Sequence, residues 1–259
     1  MDEGLRKDDV EEWFKDWFDK DYAAIYGHRD AREAEAAVAM VLALAPELGA
    51  GPVLDLGCGG GRHLAALRRS NPRAFGLDLS RDLLAMAPEA LRPWLLRGDM
   101  RRLPVRPGSL AGICMWFTPF GYFSDAENRA LFHRLRDLLR PGGTLLLDYL
   151  NAAFVRAHLV PEDRSRSGDI EVLSRRTLEG DRLVKRMTLT HLETGRTRQA
   201  MESLRLYDPG ELRQLAAECG LERNWEAGDY QGQRFDPERS ARWIGFLGRP
   251  HSDKMNPSA

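Results

Sequence analysis

The sequence is poor in cysteine and lysine, and both shortages exclude classes of protein. The three cysteines, Cys58, Cys114 and Cys219, do not have the spacing of metal ligands, so we expect no metal centre and a reduced, cytoplasmic setting. Lysine occurs only at positions 7, 15, 20, 185 and 254, and the net charge is -1. Because this balance provides no overall field that would hold a polyanion, we expect no nucleic-acid partner.

The chain also lacks a long apolar run. No stretch reaches the roughly 18 residues that a helix needs to span a bilayer, and the first residues, Met-Asp-Glu-Gly, do not resemble a signal peptide. We therefore expect no membrane association. The 259 residues suffice for one substantial hydrophobic core with an insertion, in a monomer or a homodimer.

The most informative feature that is present is the segment Val-Leu-Asp-Leu-Gly-Cys-Gly-Gly-Gly at residues 53–61. Its apolar half suits a buried parallel strand, and its glycines allow a sharp turn close to a ligand. The spacing does not fit a dinucleotide-binding G-x-G-x-x-G loop, because the third glycine position holds Arg62 or Leu64, depending on the register. No Gly-Lys-Ser/Thr ending of a P-loop follows either. The loop is therefore suited to a nucleoside that carries no pyrophosphate.

Residues 53–63 resemble motif I of class I S-adenosylmethionine-dependent methyltransferases. Two later strand ends follow the same family pattern: Phe-Gly-Leu-Asp-Leu-Ser contains Asp78, and Arg-Gly-Asp-Met-Arg contains Asp99. In the family, the first acid accepts hydrogen bonds from both ribose hydroxyls, and the second accepts from the adenine amine. Residues 113–123 and 138–148 resemble further motifs in the expected order.

The resemblance implies S-adenosylmethionine as the cofactor and S-adenosylhomocysteine as the product. It places Tyr26 and Arg29 in an N-terminal segment that reaches over the cofactor. The other implied cofactor contacts follow the first four core strands: Asp55, Gly57, Cys58, Gly59, Asp78, Leu79, Asp99, Met100 and Phe117. No metal ion is required, because the sulfonium methyl group is already activated for transfer.

The implied fold is α/β: a Rossmann-like, seven-stranded mixed sheet with helices on both faces. We expect an N-terminal helical lid over residues 1–50, a cofactor-binding core over residues 51–165 and 208–250, and a tail over residues 251–259. Between the core segments the hydrophobic period changes to two, which predicts an inserted antiparallel sheet of three strands within residues 166–207. The insertion resembles those of bacterial small-molecule methyltransferases that act on amines and sugar amines, where it covers the substrate cavity. A surface hairpin or a dimer contact is the alternative.

The sequence favours methyl transfer to a nitrogen of a small molecule, with oxygen as the second choice. Tyr122 is the candidate catalytic residue, because its phenol can orient a nucleophile; a buried aromatic residue with a structural role is the alternative. Further candidate substrate contacts are Tyr22, Arg205 and Tyr207. Two other functions stay open. One is an RNA- or protein-modifying methyltransferase, which would be expected to display a basic groove, and the other is a non-catalytic protein that binds S-adenosylmethionine.

Overall fold

The computed structural model describes residues 12–27 and 31–251. Seven strands form its main sheet: β1 (Val53–Leu56), β2 (Ala74–Asp78), β3 (Leu95–Arg97), β4 (Leu110–Met115), β5 (Leu139–Leu150), β10 (Glu222–Ala227) and β11 (Arg242–Gly248). They lie in the order β10-β11-β5-β4-β1-β2-β3. β1 to β5 pair in parallel, whereas β11 is antiparallel to both β5 and β10. The predicted seven-stranded mixed sheet is confirmed.

Helices connect the strands on both sides of the sheet. The α-helices are α1 (Phe14–Trp17), α2 (Lys20–Ile25), α3 (Ala31–Leu44), α4 (Arg62–Ser70), α5 (Arg81–Ala85), α6 (Asp125–Leu138), α7 (Ala152–Ala157) and α8 (Pro209–Glu218). Short 3-10 helices span Pro46–Gly49, Glu89–Trp94 and Met100–Arg102. In the part of the chain that the structure describes, no helix is long and apolar enough to cross a membrane.

The strand order reverses between β1 and β4, which are neighbours in the sheet although β2 and β3 come between them in the chain. At such a point the connections leave the sheet in opposite directions, so a crevice opens at the carboxyl ends of the strands. Ligands of open α/β sheets bind in this crevice. The topology therefore places a site beside the glycine-rich loop that follows β1.

The two faces of the main sheet belong to different hydrophobic layers. Leu54 and Leu56 face one layer, whereas Val53 faces the other, which α3 and α4 cover. Because side chains alternate along a strand, Asp55 points to the same side as Val53. A carboxylate is thereby placed within an apolar layer, behind the loop that follows β1.

The insertion forms a separate antiparallel sheet, here called the roof sheet. It consists of β6 (Glu162–Ser167), β7 (Ile170–Glu179), β8 (Arg182–His191) and β9 (Thr197–Arg205), in that order. The predicted antiparallel insertion is confirmed, but the sequence predicts three strands and the sheet has four. The additional strand is β6, whose residues Glu-Asp-Arg-Ser-Arg-Ser are polar and mostly exposed. A strand without apolar alternation gives no periodic signal.

The helices α1 and α2 pack against the roof sheet, and residues 12–27 are here called the lid. Arg198 of β9 donates a hydrogen bond to the carboxylate of Asp21 at 3.0 Å, and the hydroxyl of Ser167 donates to the carbonyl oxygen of Ala24 at 2.8 Å. These contacts join the lid to both edge strands of the roof sheet.

The helix α3 belongs to the core, although the sequence assigns it to the lid. Its Val38 and Val41 share a buried cluster with Leu64 of α4, because the apolar stripe of α3 faces that helix. Residues 1–11 of the expected lid and residues 252–259 of the expected tail lie outside the described part of the chain.

Candidate active site

A cavity of about 320 Å³ lies at the carboxyl ends of the central strands, within the size range of small-molecule sites. Its walls come from the glycine loop, from the segments that follow β2, β3 and β4, and from the lid. The lining contains most of the residues that the sequence singles out: Tyr22, Tyr26, Gly57, Cys58, Gly59, Asp78, Leu79, Asp99, Met100, Phe117 and Tyr122. The fold thus brings together side chains from distant parts of the chain.

The glycine loop forms one wall of the cavity. Gly57 has a φ of 75°, a left-handed value that favours glycine, and a β-carbon there would lie only 3.1 Å from Pro119. The N–H groups of Gly57 and Cys58 donate to the carbonyl oxygen of Leu77 at 2.8 and 3.2 Å. Because the fold itself uses these two amides, the loop is held in shape without a ligand.

Asp78 ends β2 and lines the cavity. One carboxylate oxygen accepts a hydrogen bond from the N–H of Gly59 at 2.7 Å, and the other accepts from the N–H of Ser80 at 2.8 Å. Burial raises the pKa of Asp78, and these N–H groups oppose the rise. Each oxygen retains a second lone pair. Two hydroxyls on adjacent carbon atoms, as in a ribose, can therefore bind to this carboxylate.

Asp99 follows β3 and also lines the cavity, but its carboxylate is already paired with Arg101. The guanidinium donates to Oδ2 at 2.7 Å, and the backbone N–H of Arg101 donates to Oδ1 at 2.8 Å. Burial acts to raise the pKa of Asp99, but the hydrogen bonds and charge of Arg101 outweigh it and hold the pKa below its usual value. The carboxylate stays charged, and an adenine amine bound there would share it with Arg101.

Asp55 is not among the described lining residues, in contrast to its predicted contact with the cofactor. Its side chain lies behind the glycine loop and is 1% exposed. Burial and, to a lesser extent, the charge of Asp78 raise the pKa of Asp55 to about 8. Asp55 is therefore mostly protonated at neutral pH.

The end of the cavity beneath the lid is aromatic. Its rings belong to Phe14, Phe18, Tyr22, Tyr26, Tyr122 and Phe123. The ring of Tyr122 lies 4.9 Å from that of Trp13 and 5.9 Å from that of Phe18. Burial raises the pKa of Tyr122 well above its usual range, and Tyr22, Glu202 and Asp78 add to the rise. The phenol therefore stays protonated at neutral pH, which excludes it as a strong base and leaves it as a hydrogen-bonding group.

Two charged residues of the roof sheet reach this aromatic end, and the sequence does not single them out. Lys185 of β8 and Glu202 of β9 lie opposite each other. The Glu202 carboxylate accepts hydrogen bonds from the Trp17 indole at 2.7 Å and from the Tyr26 hydroxyl at 3.3 Å, and the Lys185 ammonium donates to the same hydroxyl at 2.7 Å. Because Tyr26 lines the cavity, this cluster connects the roof sheet with the cavity wall.

Arg62 is a further lining residue that the sequence does not predict as a cofactor contact. It begins α4, donates to Glu33 at 2.9 Å, and places its guanidinium 4.6 Å from the ring centre of Phe117. Its charge lies next to the glycine loop, where the helix N-terminus also favours an anion. Arg29, which the resemblance places over the cofactor, lies outside the described residues.

Arg205 and Tyr207, which the sequence predicts as substrate contacts, are absent from the described cavity lining. The guanidinium of Arg205 lies 2.8 Å from Glu211 and 3.2 Å from Asp125, and the hydroxyl of Tyr207 donates to Asp125 at 3.0 Å. Side chains alternate along β9. Arg205 therefore points to the face opposite Glu202, which is three residues before it.

Comparison with known proteins identifies the central part of the chain. Residues 53–143 match the family described as "Methyltransferase domain", and this stretch contains the glycine loop, Asp78 and Asp99. Residues 53–143 therefore belong to a methyltransferase domain. The resemblance to class I S-adenosylmethionine-dependent methyltransferases is thereby confirmed, as is the cofactor that such a domain uses. The carboxylate of Asp78 and the apolar side chains of Leu79 and Met100 fit the ribose and the purine of that cofactor.

Curated relatives with sequence similarity include methyltransferases for different acceptors. The chain is 34% identical over 122 residues to a dTDP-3-amino-3,6-dideoxy-alpha-D-glucopyranose N,N-dimethyltransferase of Streptomyces fradiae, covering 45% of this chain and 46% of the relative. It is 32% identical over 134 residues to a trans-aconitate 2-methyltransferase of Sinorhizobium fredii, covering 48% of each. The chain thus spans about half the length of the curated relatives it matches.

Solved structures resemble the chain over a larger part of its length. The CcbJ methyltransferase from Streptomyces caelestis has a TM-score of 0.76 at 21% identity, covering 91% of this chain and 99% of its own. The sugar N-methyltransferase KedS8 from a Streptoalloteichus species has a TM-score of 0.66 at 25% identity, covering 88% and 92%. The methyltransferase fold therefore extends well beyond residues 53–143.

Proposed function

We propose that this protein transfers the methyl group of S-adenosylmethionine to an amine nitrogen of a small molecule, and that the acceptor is an amino sugar. The observation that carries the proposal is the aromatic end of the cavity beneath the lid, where the lining residue Tyr26 donates a hydrogen bond to the Glu202 carboxylate. An aromatic wall combined with a carboxylate suits a substrate that arrives as a cation. The names of the Streptomyces fradiae and KedS8 relatives support this acceptor class.

The cofactor supplies a methyl group on a positively charged sulfur, so the work left to the chain is binding, orientation and exclusion of water. We assign the ribose hydroxyls to Asp78 and the adenine amine to Asp99, which already carries Arg101. The carboxylate of the methionyl group is assigned to Arg62, the cationic side chain beside the glycine loop. These three groups fix the cofactor at both ends, which orients its methyl group along the cavity.

The acceptor amine must lose a proton before its lone pair can attack the methyl carbon. The rings around Tyr122 create a poorly solvated space, which lowers the pKa of an ammonium ion and favours the neutral amine. We assign the released proton to Glu202, whose carboxylate is hydrogen-bonded to Tyr26 and raises the pKa of Tyr122. The protonated phenol of Tyr122 then positions the acceptor by a hydrogen bond.

The proposal is tested with methyl-labelled S-adenosylmethionine and three acceptors. They are a dTDP-linked 3-amino-3,6-dideoxyglucose, the same nucleotide sugar with a 3-hydroxyl, and trans-aconitate. We expect label only in the amino sugar, with a mass gain of one or two methyl groups. Label only in the hydroxyl sugar or in trans-aconitate would replace nitrogen by oxygen as the acceptor. Cofactor binding without label in any of the three would refute the amino-sugar assignment.

An RNA- or protein-modifying role receives less support from the cavity. A polyanion would require basic side chains along an open groove. Among the described lining residues, Arg62 and His63 carry the basic groups, and both follow the glycine loop rather than lie beneath the roof sheet. The acceptor end is aromatic instead, which favours a compact substrate.

A further inference from the structure

The segment after β4 contains a strained turn. Phe117 and Thr118 have φ values of 59° and 65°, and within the described ranges they are the only residues other than glycine with positive φ. The left-handed region is unfavourable for aromatic and β-branched side chains. Two such residues in succession persist only where the surrounding structure enforces them, and strain of this kind is concentrated at functional sites.

Asp148 on β5 holds both N–H groups of this turn. Its side-chain oxygen Oδ2 accepts a hydrogen bond from the N–H of Phe117 at 2.7 Å, and its backbone carbonyl oxygen accepts from the N–H of Thr118 at 3.0 Å. Asp148 is fully buried. Because a rigid central strand supplies both acceptors, the turn can satisfy its amides in the interior only by keeping the left-handed conformation.

Two further residues fix the carboxylate of Asp148 itself. Arg242 of β11 forms a salt bridge with Oδ1 and donates to the hydroxyl of Thr118 at 2.8 Å, and the hydroxyl of Tyr230 donates to Oδ2. Burial acts to lower the pKa of Arg242, but the negative charge of Asp148 outweighs it and raises the pKa. The buried pair of Asp148 and Arg242 therefore forms three hydrogen bonds with the turn: two to its backbone N–H groups and one to the hydroxyl of Thr118.

The turn determines where the ring of Phe117 lies. This ring lines the cavity next to the glycine loop, and the guanidinium groups of Arg62 and Arg242 lie 4.6 and 5.2 Å from its centre. A relaxation of either φ to a negative value would swing the Cα–Cβ bond of Phe117 away from this position. The wall of the cavity is thus built by backbone strain rather than by side-chain packing alone.

We propose that Asp148, with Arg242, is a positioning residue that keeps the turn at Phe117 and Thr118 left-handed and thereby holds the Phe117 ring against the cofactor. This inference rests on the proposed function, because it places the Phe117 ring at the cofactor. Asp148 itself does not line the cavity in the described structure. Its effect on binding is therefore exerted through the turn.

The test is calorimetric titration of S-adenosylhomocysteine into the purified protein and four variants. Asp148→Asn removes the negative charge. Arg242→Lys keeps the positive charge but removes the guanidinium group that donates a hydrogen bond to Thr118. Asp148→Asn combined with Thr118→Gly lowers the cost of the left-handed turn. The matched control is Glu226→Gln, because Glu226 of β10 is also paired with an arginine, Arg213 at 2.6 Å, and lies away from the described cavity lining.

We expect Asp148→Asn to weaken S-adenosylhomocysteine binding at least tenfold and Arg242→Lys to weaken it about threefold. The added glycine should restore at least threefold of the lost affinity, an effect that a merely structural role of Asp148 would not produce. Glu226→Gln should lower the melting temperature and leave affinity unchanged.

Unchanged affinity in Asp148→Asn, or a loss that the glycine does not restore, would overturn the inference while the proposed function stands. If Asp148→Asn does not fold, Arg242→Lys decides, and wild-type affinity in that variant would overturn the inference. Absence of binding to the wild-type protein would instead refute the proposed function, and the inference with it.

Discussion

The carboxylate of Glu202 lies 2.7 Å from the indole nitrogen of Trp17 and accepts its hydrogen bond. One residue belongs to the roof sheet and the other to the lid, so two segments far apart in the sequence close the same side of the cavity. Trp17 is buried, which makes this contact part of the structure rather than a surface feature. The aromatic end of the cavity is therefore assembled by tertiary contacts.

The first prediction concerns Glu202→Gln. We expect turnover with the amine acceptor to fall at least tenfold, because the amide keeps the size of the side chain but cannot receive a proton. Affinity for S-adenosylhomocysteine should stay within about threefold of wild type, since the hydrogen bonds of Glu202 are to Trp17 and Tyr26 and not to Asp78, which we assign to the ribose. Steady-state kinetics and calorimetry measure the two effects separately.

Glu179→Gln is the matched control for this variant. Glu179 is also a roof-sheet carboxylate, but it is exposed and paired with Arg186 at 2.6 Å. The control should keep wild-type turnover, because Glu179 is not among the described lining residues and its exposed ion pair contributes little to stability. Wild-type turnover in Glu202→Gln would remove Glu202 from the proton pathway.

The second prediction concerns the hydroxyl group of Tyr122. Tyr122→Phe should lower turnover about tenfold without a change in cofactor affinity, because the ring packing with Trp13 and Phe18 is retained and only one hydrogen bond is lost. The fall should be the same at pH 7 and pH 9, since the raised pKa of Tyr122 keeps the phenol protonated at both values. Unchanged turnover would leave Tyr122 with a packing role only.

The third prediction uses the raised pKa of Asp55, about 8 compared with a usual value of 3.8. Between these values the folded protein retains a proton that the unfolded chain releases, so ionisation of Asp55 makes stability fall as the pH rises from about 4 to about 8. Asp55→Asn removes this fall. Its free energy of unfolding, relative to wild type, should increase between pH 5 and pH 8 by roughly 3–4 kcal/mol.

Urea denaturation at the two pH values measures this difference. Asp137→Asn is the control, because the side chain of Asp137 is 60% exposed and its replacement should give the same difference at both pH values. Equal pH dependence in wild type and Asp55→Asn would show that Asp55 is ionised in the folded protein.

The sequence predicts the cofactor half of the site well, because its signals are local. The apolar strand β1, the glycine turn and the acid at the end of β2 are short-range features whose spacing determines what they can bind. The same holds for α6, where Ser124 and Glu127, three residues apart, form a capping box. Asp55, which the resemblance implies as a cofactor contact, is not among the described lining residues, because side chains alternate along β1 and Asp55 points to the side of Val53.

The part of the site that we assign to the methyl acceptor could not be predicted, because it depends on which face of β9 the lid covers. Polar residues that alternate along β9 are compatible with either face, so Arg205 was a reasonable candidate and Glu202 gave no signal. Only the packed structure shows that the lid covers the face of Glu202. The strained turn at Phe117 could not be predicted from the sequence either. The residue that accepts its hydrogen bond, Asp148, lies about thirty residues further along the chain, so no local pattern indicates the contact.

The most direct test of the central claim, that Asp78 at the crevice edge binds the ribose of the cofactor, is the affinity of Asp78→Ala for S-adenosylhomocysteine. Each hydrogen bond to a charged group is worth roughly 1.5–3 kcal/mol, and about 1.4 kcal/mol is a tenfold change in affinity. Calorimetry of the folded variant, with Asp137→Ala as the exposed control, should show a dissociation constant at least tenfold above wild type for Asp78→Ala only. Wild-type affinity in Asp78→Ala would contradict the assignment of the ribose to this carboxylate and, with it, the proposed orientation of the cofactor.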